Sequence, residues 1–331
     1  MIDTRESTRI REELVSTDGR APSPAERVLL VPAISDWVLS AYFMSVVVGL
    51  TRAPASPERN WLLTFTSAVL IAFLGGVYVY RLRFETRIGG PTYIHRLAYR
   101  LLPLCALLSV YFNLRAILPL INESLYDAQL FELDLRVFGF EPTLAIEPYL
   151  TQGIVEWFAF FYYSYFFFVA SFCFVMVFTV ERDRMLAHFA TGMLMVVGMG
   201  HFLYTLVPGF GPYAYLAHEY AGPLPGGAFF DLVLRAVHAG GPMRDIFPSL
   251  HTALPTFLTL FAWRYHRPVA VLATFCCANI VAATIVLRWH YALDVVAGLV
   301  LAWFAYWFAP RLVETYQSRR ETAGLGRLRR W

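Results

Sequence analysis

Long apolar stretches constrain this chain more than any other feature of its sequence. A helix of about 20 residues rises ~30 Å, which is the thickness of the hydrocarbon core of a bilayer. Stretches of about that length recur along most of the chain, separated by polar or Pro/Gly-bearing segments. There are eight, at 29–51, 61–80, 98–121, 154–180, 187–208, 247–263, 268–287 and 291–310.

Charged residues are correspondingly sparse. Of the 331 residues, 58% are hydrophobic and 15% are charged, whereas an average soluble domain is about 25% charged. Backbone polar groups cannot stay unpaired in lipid, so stretches of this length must be helical. The sequence therefore predicts an all-α, polytopic transmembrane helical bundle of about eight spans. The net charge of +3 is too small to indicate a nucleic-acid partner.

The arginines are distributed unevenly between the two sides that eight spans define. Every basic residue is Arg, and 20 of the 27 fall on the side that holds both termini. Because Arg and Lys accumulate in cytoplasmic loops, we expect an integral membrane protein with both termini in the cytoplasm. A plasma-membrane location follows if the source is bacterial.

Four regions follow from this pattern. Residues 1–26 are expected to form a disordered cytoplasmic tail, 27–96 two N-terminal transmembrane spans, 97–311 the main membrane domain and 312–331 a basic cytoplasmic tail. Two long loops of the main domain lie on the Arg-poor outer side. Loop 122–153 has the partly helical apolar spacing of an amphipathic surface segment, and loop 209–246 is rich in Gly and Pro, with a helical stretch near 228–238.

Three ionisable residues near span ends are the main functional candidates, because such groups are costly at membrane depth. His290 and Asp294 are four residues apart and so share one helix face, where the carboxylate can fix the histidine tautomer. His251 precedes His290 by 39 residues, which is one descending span, a turn and one ascending span. Both histidines are therefore expected at the same, extracytoplasmic face. A structural hydrogen-bonding role is the alternative for His251 alone.

The segments around these residues resemble a known family. FPSLHTA and HYALDVVAG look like the second and third signature motifs of the type 2 phosphatidic acid phosphatase superfamily. The PSxH and HYxxD variant is typical of its inositolphosphotransferase branch, which includes inositol phosphorylceramide synthase. LDLRVFGFEPT and HFLYTLVPGFGPYAY also resemble that branch, so the resemblance covers about 125–310. It implies a six-helix, phosphatase-type core within 97–311.

The resemblance also implies roles for the three residues. His290 would attack phosphorus and form a phosphohistidine, Asp294 would orient it, and His251 would protonate the leaving oxygen. A neutral imidazole held by a carboxylate is a competent nucleophile, and a protonated one is a competent acid. This chemistry needs no metal and no other cofactor.

The chain departs from the broader family pattern at two points. Thr284, preceded by Ala283, stands where the phosphatase form of the third motif has Ser-Arg, and no Lys-x6-Arg-Pro motif is present. Other groups must then meet the phosphate charge, and Arg forks suit phosphate oxygens. The candidates are Arg244, Arg288, Ser249 of PSLH and, more weakly, Arg115. For Arg244 and Arg288 the alternative role is a lipid-headgroup anchor.

These observations favour a membrane enzyme that acts on a lipid phosphate at the outer leaflet and has membrane lipid around it. As a phosphotransferase it would pass a phosphate-bearing group to or from a polyol such as inositol. As a phosphatase it would use water as acceptor. A non-enzymatic transporter is a second class, but the ionisable cluster lies at span ends and not at the midplane. A catalytically silent scaffold is a third class, and it would show no phosphate chemistry when purified. The aromatic run FFYYSYFFF at 160–168 is typical of lipid-facing and helix-packing surface.

Overall fold

The structure, a computed structural model, describes residues 23–85, 90–240, 244–326 and 328. Throughout these ranges every regular element is helical, which confirms the predicted fold class. The helices are α1 (Pro24–Leu29), α2 (Ile34–Arg52), α3 (Pro57–Tyr80), α4 (Tyr93–Tyr111), α5 (Leu114–Ile121), α6 (Asp127–Phe138), α7 (Pro142–Ile146), α8 (Gln152–Phe178), α9 (Asp183–Leu206), α10 (Pro212–Tyr215), α11 (Ala228–Gly240), α12 (Leu250–Tyr265), α13 (Arg267–Val286) and α14 (Ala292–Thr322).

Six of these helices are long and apolar enough to cross a membrane, namely α2, α3, α8, α9, α13 and α14. The predicted span at 98–121 is divided into α4 and α5, whose axes differ by 58°; counted as one broken span, the pair makes a seventh. The predicted span at 247–263 corresponds to α12, which has only 16 residues. It is short because Pro248 and Ser249 hold a non-helical segment at its start, and its ~24 Å rise falls below the bilayer core thickness.

Helix α9 lies at the centre of the bundle and packs against α2, α12 and α14. Its glycines permit this close approach. A methyl group at Gly192 would lie 2.3 Å from the ring of Phe257 on α12, a distance that no real side chain tolerates. Small residues at helix crossings are the usual means of close packing in membranes.

Three polar side chains inside the N-terminal half, Asp36, Arg81 and Tyr99, bond to one another. Asp36 of α2 accepts hydrogen bonds from the Tyr99 hydroxyl at 2.6 Å and the Ala33 backbone at 2.7 Å. Arg81, in a π-helical turn after α3, donates to Tyr99 at 2.7 Å. This chain of contacts explains how a carboxylate is accommodated within an apolar stretch.

The last turns of α14 contact the segment that follows α1 on one side of the bundle. Helix α14 extends to Thr322, well into the region expected to be a tail, and the buried Arg320 donates to the carbonyls of Leu30 and Val31. Of the expected N-terminal tail, residues 1–22 lie outside the described residues, while 24–26 belong to α1. The region boundaries proposed from the sequence otherwise stay predictions.

Both outer loops contain helices. Loop 122–153 forms α6, α7 and a 3-10 turn, and loop 209–246 contains α11 (Ala228–Gly240), which confirms the helical stretch expected near 228–238. The buried face of α6 carries Asp127, Leu130 and Asp134. An amphipathic helix with carboxylates on its inner face requires polar partners in the protein, and these lie beside the histidines.

Candidate active site

His251 is placed by the start of α12. The Ser249 side chain caps this helix by accepting from the Thr252 backbone at 3.2 Å, which is the usual role of serine at an N-cap. His251 is then in the first turn, where its ring stacks on Tyr162 of α8 with centroids 4.5 Å apart and lies 4.2 Å from the Tyr165 ring. Its Nε2 is buried with no hydrogen-bond partner in the part of the chain described.

His290 is placed by the turn that follows α13. The Trp289 amide donates to the Thr284 carbonyl at 2.9 Å and the Arg288 amide to the Ile285 carbonyl at 3.0 Å, the two bonds of a Schellman motif. Arg288 occupies the left-handed position, with φ of 65°, where glycine is usual. The His290 amide also donates to Thr284, at 3.2 Å, so the end of α13 fixes the backbone of His290.

The two histidines meet at one end of the bundle, as their spacing predicts. Their ring centroids are 6.2 Å apart. Nδ1 of His290 lies 3.4 Å from Oδ2 of Asp294, which is long for a hydrogen bond. The same oxygen accepts from the Tyr291 amide at 2.9 Å, so Asp294 both caps α14 and faces His290. Its other oxygen, Oδ1, is buried without a partner among the described residues.

The His290 imidazole is largely buried. Burial lowers the pKa of His290 to about 4, and the charge of Asp245 and a hydrogen bond with the Ile246 backbone offset only part of this effect. The ring is therefore neutral at neutral pH, with a lone pair available. A neutral imidazole is the form that attacks phosphorus.

A cavity of about 170 Å³ opens beside the two histidines. Its wall is formed by the end of α4, α8, the loop before α10 and α10 itself, α11, the segment before α12 with the start of α12, and the turn after α13. The lining residues are Tyr111, Tyr162, Tyr163, Phe166, Phe210, Tyr213, Val233, Ala236, Val237, Asp245, Ile246, His251, Trp289 and His290. Three of them belong to the aromatic run at 160–168, whose inner face thus forms the site while its outer face is exposed.

Asp245 is a site residue that the motif reasoning missed. It lines the cavity, and its charge acts on His290. Burial raises its pKa. The sequence offered one signal for a site role of Asp245, which is its position six residues before His251 in the segment that leads into the PSLH motif. That signal is weak, because an isolated acidic residue in a loop is usually exposed to solvent.

Arg244 is, of the four phosphate-site candidates, the one whose contacts reach the cavity wall. Its guanidinium carbon lies 5.8 Å from the ring centroid of Phe210, and its Nη1 donates to the Glu123 carbonyl at 3.2 Å. The side chain is half-buried and does not itself line the cavity. A change of rotamer is needed to bring it to a phosphate.

Arg288 is engaged elsewhere. Its Nη2 donates to Glu147 at 2.8 Å, its Nη1 donates to the Gly222 carbonyl at 3.0 Å, and its guanidinium lies 3.7 Å from the centroid of the Tyr220 ring. These contacts tie the turn before His290 to both outer loops. A phosphate-binding role for Arg288 stays a prediction, and it would require breaking the pair with Glu147.

The other two candidates lie away from the cavity wall. Ser249 has its hydroxyl in the cap of α12, and its amide donates to the Asp294 carbonyl at 3.0 Å. Arg115 is exposed on α5 and does not line the cavity. The phosphate-binding roles of Ser249 and Arg115 also stay predictions.

Two carboxylates of α6 position the site from outside. Asp134 accepts from the amides of Ala292 and Leu293, at 2.6 and 2.9 Å, and so caps α14 directly after His290. Asp127 lies seven positions before Asp134 on the same helix. It accepts from the Gly211 amide at 2.7 Å and the Tyr291 hydroxyl at 3.3 Å. Two turns separate these acids, so both project from one face of the helix.

The site is thus defined by two histidines and a carboxylate that meet at the starts of α12 and α14, beside the turn that ends α13. The chain belongs to the PAP2 superfamily, whose family model matches residues 128–308, more than half of its length. The match includes every site residue predicted from the sequence except Arg115. Comparisons with curated proteins and with solved structures gave no match. Family membership and the apolar helices identify an integral membrane protein of a lipid phosphatase and phosphotransferase family.

Proposed function

We propose that the protein is a lipid phosphotransferase that works through a phosphohistidine on His290. The observation that carries the proposal is the 6.2 Å separation of the His251 and His290 rings across one cavity. A phosphorus atom about 3 Å from a His290 nitrogen leaves room for His251 to reach the departing oxygen within hydrogen-bond distance.

In the first step a His290 nitrogen attacks phosphorus, and the bond from phosphorus to the lipid oxygen breaks. His251, protonated beforehand, gives its proton to that oxygen. In the second step an acceptor hydroxyl attacks phosphorus, its proton passes to His251 and His290 is released. Asp294 holds the His290 ring throughout, and Arg244 is the best placed group to meet the phosphate charge.

The acceptor distinguishes the two family reactions. The PSLH and HYALD forms of the motifs favour an alcohol acceptor of the inositol type, as in the inositolphosphotransferase branch. Water in the same position would make the protein a phosphatase. The face of action that we propose is extracytoplasmic, supported by the excess of arginine on the opposite side.

The proposal is tested with purified protein in detergent, given a panel of lipid phosphates with and without inositol. The products are identified by mass, and the protein is probed for a phosphoryl group that is stable to alkali and labile to acid, as expected for phosphohistidine. We expect new phosphorylated alcohols only when the acceptor is present. Free headgroup phosphate in equal amount with and without inositol would favour the phosphatase, and no turnover of any lipid would contradict both.

A further inference from the structure

The residues that line the cavity beside the histidines are not those expected of a phosphate-binding site. Half of its lining side chains are aromatic, and in the described part of the chain no arginine is among them. Among the described residues that line it, the one carboxylate is Asp245. An unesterified phosphate placed here would face a carboxylate and the negative faces of aromatic rings.

A cation in the same place would be attracted by both. Aromatic ring faces bind ammonium groups, and sets of such rings around a quaternary ammonium are the common recognition device for choline. Tyr213 and Trp289 contact each other with centroids 4.6 Å apart, and Tyr162 stacks near Trp289. We propose that this cavity holds the ammonium end of a phospho-amino-alcohol headgroup, of the choline or ethanolamine class, while its phosphorus lies between His251 and His290. This inference rests on the proposed phosphotransfer at His290.

A polyol headgroup is the main rival, since sugar-like rings also lie against aromatic side chains and bond to carboxylates. Charge decides between them. Asp245 forms no ion pair with any described residue, and its neighbour His290 is neutral at physiological pH. A carboxylate that is partly buried, as Asp245 is, is stabilised by an opposite charge, which an ammonium group supplies and a polyol does not.

The size of the cavity agrees with a headgroup as occupant. A volume of about 170 Å³ accommodates a small amino alcohol and no acyl chain, so the lipid tails stay outside. The reaction then follows the proposed steps. The bond from phosphorus to the diacylglycerol oxygen breaks, that oxygen takes the proton of His251, and the amino-alcohol phosphate remains on His290 until an acceptor hydroxyl attacks and returns its proton to His251.

The test compares headgroups on one lipid backbone. Purified full-length protein in lipid nanodiscs is assayed for kcat/KM with phosphatidylcholine, phosphatidylethanolamine, phosphatidylglycerol and phosphatidylinositol of identical acyl chains. Binding of phosphocholine and of inositol phosphate is measured separately by calorimetry. We expect kcat/KM for the two ammonium lipids to exceed that for the neutral-alcohol lipids by about tenfold or more, and phosphocholine to bind more tightly than inositol phosphate.

Variants of the lining residues test whether the cavity causes the preference for ammonium lipids. Asp245→Asn and Tyr213→Leu should each reduce the preference for ammonium lipids by about tenfold, whereas Tyr213→Phe should keep it because the ring face remains. Asp231→Asn and Tyr215→Leu are matched controls, since both residues are exposed in the same outer loop and neither lines the cavity. Thermal unfolding shows whether each variant is folded.

The outcomes separate this inference from the proposed function. His290-dependent turnover with no preference for ammonium lipids, or with a preference for phosphatidylinositol, overturns the inference alone. Absence of turnover together with phosphocholine binding that Asp245→Asn weakens supports the ammonium site and contradicts the proposed reaction. Equal binding of phosphocholine by the parent protein and Asp245→Asn removes the basis for the carboxylate's role and overturns the inference.

Discussion

Gly298 of α14 lies directly against the backbone of Ser249, so that a methyl group at Gly298 would be 2.5 Å from the Ser249 carbonyl oxygen. This contact joins the two signature motifs, because Ser249 belongs to PSLH and Gly298 ends HYALDVVAG. The Ser249 amide also donates to the Asp294 carbonyl. The separation of the two histidines therefore depends on a close contact between the starts of α12 and α14.

Replacing this glycine should loosen the site. Gly298→Ala forces the two helix starts apart, because a carbonyl oxygen cannot move as a flexible side chain does, and we expect a loss of about 1–3 kcal/mol in the free energy of unfolding. Thermal unfolding in detergent measures it. Gly75→Ala on α3 is the control, since a methyl group there meets nothing within 4 Å and alanine favours a helix. Equal melting temperatures for Gly298→Ala and the parent protein would contradict the prediction.

The sequence was sufficient to predict the helical bundle and the convergence of His251 and His290, because apolar length and loop spacing depend only on local pattern. It was insufficient for Arg288, whose partner Glu147 is 141 residues away, and a pairing of that range leaves no local signal. Asp245 was missed for a similar reason, since its importance comes from the aromatic wall around it. The short length of α12 was not predicted, because an apolar stretch does not reveal at which residue a helix starts.

The membrane orientation gives a second prediction. Because arginines accumulate on the side of the termini, a cysteine placed at Gly226 should react with an impermeant thiol reagent in intact cells, and one at Thr315 should react only after lysis. A background without the four native cysteines is needed, and all four are free thiols. Labelling at Thr315 with protection at Gly226 would place the site on the cytoplasmic side.

The roles of His290 and Asp294 give a third prediction. His290→Ala should abolish turnover, and Asp294→Asn should lower kcat by about 10²–10⁴ while the fold stays intact, because an amide oxygen still accepts from the Tyr291 amide. Initial rates and melting temperatures measure the two effects. His218→Ala, at an exposed histidine beside Glu219, should leave the rate unchanged. Near-normal turnover by His290→Ala would exclude it as the nucleophile.

Glu141 gives a prediction about pH. It is buried, one of its oxygens lacks a partner within the described structure, and burial raises its pKa to about 7 from an ordinary 4.5. The folded state therefore binds this proton more tightly than the unfolded state, so the contribution of Glu141 to stability falls as pH rises from about 4.5 to about 7, by on the order of 2–3 kcal/mol.

Glu141→Gln should remove this dependence and raise the melting temperature at pH 8 more than at pH 5. Glu132→Gln is the control, because Glu132 is exposed and pairs with Arg136 in its own helix. Unfolding curves at the two pH values for the three proteins give the answer. The same pH response in Glu141→Gln and the parent protein would show that Glu141 does not titrate in this range.

The last prediction separates His251 from His290 by role, since a general acid matters in proportion to how poor the leaving group is. A lipid alkoxide leaves badly and needs a proton, whereas the phenolate of nitrophenyl phosphate leaves readily without one. His251→Ala should therefore lose most of its activity on a lipid phosphate and keep a larger fraction on the aryl ester. His290→Ala should lose both alike.

The comparison is valid where formation of the covalent intermediate limits the rate, which a burst experiment establishes for each substrate. The stacking of His251 on Tyr162 adds a control. Tyr162→Phe keeps the ring that holds His251 and should retain the parent ratio of lipid to aryl activity, which separates loss of the proton donor from loss of its support. If His251→Ala loses the same fraction of activity on both substrates, His251 binds or positions the phosphate, and the proton for the leaving oxygen must come from another group.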